Sequence, residues 1–235
     1  MKKLRLVKMI MFMAIVIELS SCAIRKNTTV AKLQKEFTIL GYGDSITEGG
    51  ADFFSYLFPL DSMLKSAGLK ATFIGPRQSQ QDGHTIHHFG NSGRTAEYVA
   101  ARIDSVYSLY PADLVLLHAG HNHFIEEVPV AGIIDAQRTI IKTITAKNPS
   151  ALVLVAGVIT SGKLPKYEYI PDLNVAIKGM VESLGNKNVV FVDQSAGWDW
   201  EEYTISDKVH PNRVGAKRMA GKWFEVIGEV AGRKL

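Results

Sequence analysis

Five short apolar runs recur along this chain: Phe37-Thr38-Ile39-Leu40, Ala71-Thr72-Phe73-Ile74, Leu114-Val115-Leu116-Leu117, Leu152-Val153-Leu154-Val155 and Val189-Val190-Phe191-Val192. Each is continuous rather than alternating and rich in β-branched residues. That pattern belongs to strands buried on both faces, which occur in parallel sheets covered by helices. Between the runs, Val99/Ile103/Val106/Leu109, Ile133/Ile140/Ile144, Leu173/Ile177/Met180/Leu184 and Met219/Trp223/Val226/Val230 return at helical spacing. Pro59 suits a first helical position, with Leu60, Met63 and Leu64 as the inner face and Gly68 as the stop. The alternation predicts a three-layer α/β/α sandwich with a five-stranded parallel sheet and right-handed crossovers. A chain of 235 residues supports one such domain with a substantial core, and 46% apolar against 21% charged residues excludes a disordered chain.

The N-terminus stands apart from this body. Lys2, Lys3, Arg5 and Lys8 precede the apolar stretch Met9 to Ile17 and then Leu19-Ser20-Ser21-Cys22, the layout of an export signal. The stretch is short for a bilayer span. Leu19-Ser20-Ser21-Cys22 resembles the lipobox of bacterial lipoproteins, which implies a signal peptide over 1–22 and acylation of Cys22. It also implies a polar tether over 23–35, a folded domain over 36–235, and an exported protein anchored by lipid in a bacterial envelope. An uncleaved anchor or an ordinary secretory signal would share this layout, and Glu18 inside the apolar region departs from the lipoprotein pattern. Cys22 is the single cysteine, so no disulfide framework or thiolate metal site is available. The formal charge of +4 falls to +1 once the four cations and Glu18 of the leader are set aside, which removes the electrostatic case for a nucleic-acid partner.

In open parallel sheets the usable crevice lies beyond the carboxyl ends of the strands. Ser45 follows the first run, Gly120-His121-Asn122 the third, and Asp207 and His210 the fifth, so all three segments are expected on one sheet edge. Serine, histidine and aspartate there form a complete set for nucleophilic catalysis. The hydroxyl needs an imidazole to take its proton, and the imidazole needs a carboxylate to fix its tautomer. Taken singly, each segment is also a common turn or capping sequence.

Gly43-Asp44-Ser45-Ile46-Thr47, Ser92-Gly93, Gly120-x-Asn122 and Asp207-x-x-His210-Pro211 resemble, in order and spacing, the four motif blocks of the SGNH (GDSL-type) hydrolases. The likeness runs from about residue 37 to 225. It implies the flavodoxin-like SGNH hydrolase fold and a serine ester hydrolase without a cofactor. Ser45 would be the nucleophile, His210 the general base and then acid, and Asp207 its orienting group. The Ser45 and Gly93 backbone N–H groups and the Asn122 amide would form the oxyanion hole. Phe73-Ile74-Gly75, Asp82-Gly83-His84 and His88-Phe89-Gly90-Asn91-Ser92-Gly93 are similar to the branch holding acetyl xylan esterases, carbohydrate esterase family 3. That likeness implies deacetylation of carbohydrate, with a small ester or acetylated glycan as substrate. A broad short-chain esterase or lipase, a thioesterase, a glycan O-acetyltransferase and a vestigial glycan-binding lipoprotein are the alternatives.

Two positions depart from the family pattern: His123 stands where the third block usually has Asp, and Phe89 where the branch usually has Glu. Asp44, Arg94, His123, Trp198 and Trp200 are the candidate substrate-contacting residues. The tryptophans suit a sugar platform or the core equally, and Arg94 suits a uronic acid, solvent or a pairing with Glu97. Two histidine groups, His84/His87/His88 and His118/His121/His123, raise the question of a metal. Neither has a carboxylate or cysteine at zinc-site spacing, and no metal is expected. Oligomeric state has no signature in the sequence.

Overall fold

The computed structural model describes residues 36–230; the leader, Cys22, the tether and residues 231–235 lie outside them. All five expected strands form. They are β1 (Phe37–Asp44), β2 (Ala71–Phe73), β5 (Leu114–His118), β6 (Leu152–Gly157) and β7 (Val189–Asp193), which pair in parallel in the order β2-β1-β5-β6-β7. The sheet holds seven strands rather than five. β3 (Arg77–Gln81) and β4 (His84–Asn91) form an antiparallel hairpin, and β4 joins β1 in parallel through Tyr42–Phe89, Gly43–Gly90 and Asp44–Asn91. One edge of β1 is thus shared, β2 taking its first residues and β4 its last.

Strand pleating divides the core into two layers. Leu40, Tyr42, Val115, Leu117, Val153 and Val155 point to one face. There they meet helices α3 (Ala96–Ala100), α4 (Ile103–Leu109), α5 (Val130–Lys147) and α6 (Ile170–Ser183) through Val99, Ile103, Ile140 and Ile177. Ile39, Leu114, Leu116, Leu152 and Leu154 point to the other face and meet α2 (Leu57–Ser66) and α8 (Arg213–Val230) through Leu60, Leu64, Met219 and Trp223. The two short helices α1 (Ser45–Glu48) and α7 (Trp200–Tyr203) lie at the strands' carboxyl ends. Among the described residues no helix is long and apolar enough to cross a membrane.

The helix expected through Val99 and Leu109 is broken in two. In an unbroken helix the Tyr98 carbonyl would accept the Arg102 amide. The Arg102 guanidinium takes that carbonyl instead, at 2.9 Å, and the Arg102 amide turns to Val99 O at 3.1 Å. Leu109, expected on the inner face, is 75% exposed at the end of α4. Pro59 falls in the first turn of α2 but not at its first residue, and Gly68, at φ +70°, follows the helix as expected.

Candidate active site

Three carboxyl-terminal segments converge on one edge of the sheet. β1 ends at Asp44, whose backbone is extended and whose Oδ1 accepts the Ile46 amide at 3.0 Å, capping α1 and setting Ser45 as its first residue. Gly43, just before, is required by space: a Cβ there would lie 2.0 Å from the His118 carbonyl of the paired strand β5. On the far side of the sheet, the turn carrying Asp207 is closed by Asp207 Oδ1. It accepts the Val209 amide at 2.9 Å and the His210 amide at 3.0 Å, with Lys208 in the left-handed region at φ +62°.

These two segments, 165 positions apart, meet directly: His210 Nε2 is 2.8 Å from Ser45 Oγ. His210 Nδ1 is 2.5 Å from Asp207 Oδ2. The carboxylate accepts from Nδ1–H and thereby fixes the tautomer in which Nε2 presents a lone pair to the hydroxyl. Burial acts against the charged form of Asp207, but hydrogen bonds from the His210 ring and from the His210 and Val209 amides outweigh it. Its carboxyl is held below the ordinary aspartate range. Such an array can take a proton from Ser45 without any further group.

Donors for a developing oxyanion gather on the same edge. The Ser45 amide is in the first turn of α1, where no intrahelical acceptor exists. Gly93 has φ +72°, and a side chain there would project into open space, so the backbone is both left-handed and approachable. Asn122 also takes a left-handed backbone, φ +69°, which asparagine tolerates. Its Nδ2 donates one hydrogen to Arg94 O at 3.0 Å, which ties the third block to the second and leaves the other amide hydrogen.

The remaining expected residues separate. His123 lies between two carboxylates, Glu97 Oε2 at 3.2 Å and Glu127 Oε2 at 3.3 Å, and bridges α3 to the 3₁₀ turn Ile125–Glu127. The acid usual in the family is thus replaced by a histidine held by two acids. Arg94 is exposed and lies 4.6 Å from the Tyr98 ring centroid, while Glu97 faces His123 instead. Trp198 is a core residue: it is buried and donates Nε1–H to Thr160 O at 3.1 Å. Trp200 is partly exposed, with the Lys208 ammonium 5.4 Å from its ring. Of the first histidine group, His88 is buried between Ser79 Oγ and the Gly90 amide, and His84 pairs with Asp61 at 3.0 Å.

Sequence reading passed over two contributors. Phe53 stacks on the His210 ring at a centroid distance of 4.1 Å. Glu48 accepts the Ser92 amide at 2.6 Å and is paired with Arg77, which anchors the loop carrying Gly93. Asp44, expected among the substrate-contacting residues, is instead buried and faces the equally buried His121 at 3.9 Å, with the His118 ring stacked on His121. Burial raises the Asp44 carboxyl to about 7. A phenylalanine in a loop and a contact across 77 positions carry no local signature; the acidic Glu48 beside the first block was the one readable sign.

Solved structures share this architecture. A carbohydrate esterase family 3 protein from Talaromyces cellulolyticus is 26% identical with a TM-score of 0.73, covering 83% of this chain and 98% of its own. A family 3 carbohydrate esterase from Clostridium thermocellum is 28% identical with a TM-score of 0.71, covering 84% and 100%. A mutant acetyl esterase with acetate ion is 25% identical with a TM-score of 0.71, covering 83% and 98%. A comparison with curated protein sequences found no match. Residues 42–218, which span every segment of the site, match the model of the GDSL-like lipase/acylhydrolase family, and the chain is a hydrolase belonging to that family.

Proposed function

We propose that this protein is a serine esterase that releases acetyl groups from O-acetylated carbohydrate through an acyl-enzyme on Ser45. The observation that carries the reading is the linked pair of contacts, Ser45 Oγ to His210 Nε2 at 2.8 Å and His210 Nδ1 to Asp207 Oδ2 at 2.5 Å. Ser45 Oγ attacks the acetyl carbonyl while His210 Nε2 takes its proton. The Ser45 and Gly93 amides and the Asn122 side chain stabilise the oxyanion of the tetrahedral intermediate. Collapse breaks the ester C–O bond, His210 returns the proton to the sugar oxygen, and an acetylated Ser45 remains. Water, deprotonated by the same imidazole, attacks that acyl group, and Ser45 leaves with the proton as acetate is released.

The acetyl preference rests on likeness to two family 3 carbohydrate esterases and to an acetyl esterase with acetate ion. Trp200, partly exposed two residues beyond the buried Trp198 and packed on Gly162, offers an aromatic surface to a sugar ring. Export and lipid attachment through Cys22, with 23–35 as tether, would place the domain where envelope or extracellular glycans are met. A chain-length series of p-nitrophenyl esters, run beside acetylated xylan, tests the reading. Steep loss of rate beyond acetate with acetate release from xylan is expected. Equal rates on longer acyl chains with none from xylan would replace it with a broad short-chain esterase.

A further inference from the structure

The carboxyl ends of β1 and β5 enclose a polar cluster that the ester chemistry does not use. Asp44 is the last residue of β1, His118 the last of β5, and His121 follows three residues later. All three are at most 1% exposed. Asp44 Oδ2, both ring nitrogens of His118 and His121 Nδ1 have no hydrogen-bond partner. Buried polar atoms left in that condition are costly.

The chemistry of an occupant follows from the tautomer of His121. Its Nε2 is 3.0 Å from the Ile159 carbonyl, which can only accept, so Nε2 bears the hydrogen and Nδ1 a bare lone pair. That lone pair faces Asp44 Oδ2 at 3.9 Å, too far for a direct hydrogen bond. With Asp44 ionised, two electron-pair donors point at each other across a gap, with a ring nitrogen of His118 completing a set of three within 4.8 Å of one another. Two imidazoles and a carboxylate are the ligand types of three-residue zinc sites, whose donor atoms lie about 3.4 Å apart around a tetrahedral ion. A ligating histidine that gives its other N–H to a backbone carbonyl is the usual outer bond of such sites.

We infer that Asp44, His118 and His121 form a binding site for one first-row divalent cation of the zinc type, directly behind the nucleophile segment. The ion would pin the end of β1 to the end of β5 and hold the peptide from which Ser45 projects, a positioning role outside the proton transfers. The sequence alone hid the site because its carboxylate comes from a strand 74 positions before His118.

The test uses tag-free protein exposed to zinc chloride, dialysed and analysed for metal by mass spectrometry. One equivalent of zinc is expected, and X-ray absorption should place two imidazole nitrogens and one oxygen at about 2.0–2.1 Å. Cobalt in its place should give tetrahedral visible bands. His121→Thr and His118→Leu should each bind at least tenfold more weakly while keeping the wild-type circular dichroism. Should a variant fail to fold, the wild-type stoichiometry and absorption spectrum decide alone. Wild type without stoichiometric metal, its cluster filled by water, would overturn the inference, as would metal retained in both folded variants, which would place the ion at other histidines.

Discussion

Phe53 lies face-on against His210, the ring centroids 4.1 Å apart and the planes 28° from parallel. An imidazole that becomes cationic each time it takes the Ser45 proton gains from an aromatic face beside it, by about 1 kcal/mol. Phe53→Ala is expected to lower kcat by about fivefold with KM little changed, and Phe53→Tyr to restore it. Steady-state kinetics on p-nitrophenyl acetate check this.

Asp207 holds the ring at its Nδ1 edge. Asp207→Asn presents an amide where the carboxylate accepted from Nδ1–H, which favours the wrong tautomer. We expect kcat to fall by roughly 10³ to 10⁴ with the melting temperature nearly unchanged. Stopped-time assays and thermal denaturation on the same preparation separate the two quantities.

Asn122 has two tasks, and its variants divide them. Loss of one oxyanion donor costs about 3 kcal/mol, so Asn122→Ala should reduce kcat by about 10² to 10³. The same change removes the bond to Arg94 O, a loss of about 1 kcal/mol of stability, measured by urea titration.

The approach of β1 to β5 makes Gly43 a stability determinant. A methyl group 2.0 Å from the His118 carbonyl must separate the two strands. Gly43→Ala should destabilise the fold by about 3 kcal/mol, near the upper end for overpacking, read as a lowered urea midpoint.

His88 predicts an acid limb of stability. Burial, reinforced by Arg77 and His87 and opposed by Glu48, lowers its imidazole from 6.5 to about 4. The unfolded chain then binds the proton first. The contribution of a neutral His88 is complete above pH 6.5 and declines as the pH falls towards 4, by about 3 kcal/mol in all. Urea titrations across that interval should show a steeper decline in wild type than in His88→Gln.

Strands buried on both faces were the most legible elements, because continuous β-branched runs have few other uses. The β3–β4 hairpin was missed although Asp82-Gly83 takes the left-handed turn, φ +51° and +78°, that such hairpins need. The cause lies in Arg77-Gln78-Ser79-Gln80-Gln81, a polar edge strand with no apolar face to announce it. The break at Arg102 was hidden for another reason: Val99, Ile103 and Val106 keep helical spacing across it, and only the guanidinium's claim on Tyr98 O interrupts the ladder. At the site, segments ending strands were readable as a group, since topology alone brings them to one edge. Contacts made between loops, such as Phe53 on His210 or Asp44 opposite His121, depend on packing that residue spacing does not encode.

The central claim is that Ser45 carries the acyl group. Its most direct measurement is mass spectrometry of the protein after reaction with an organophosphonate ester, with acetate release followed in parallel for wild type and Ser45→Ala. A single adduct on the peptide containing Ser45, with acetate release abolished in proportion and absent from Ser45→Ala, is the predicted result. Wild-type rates in Ser45→Ala, or an adduct on another residue, would contradict it.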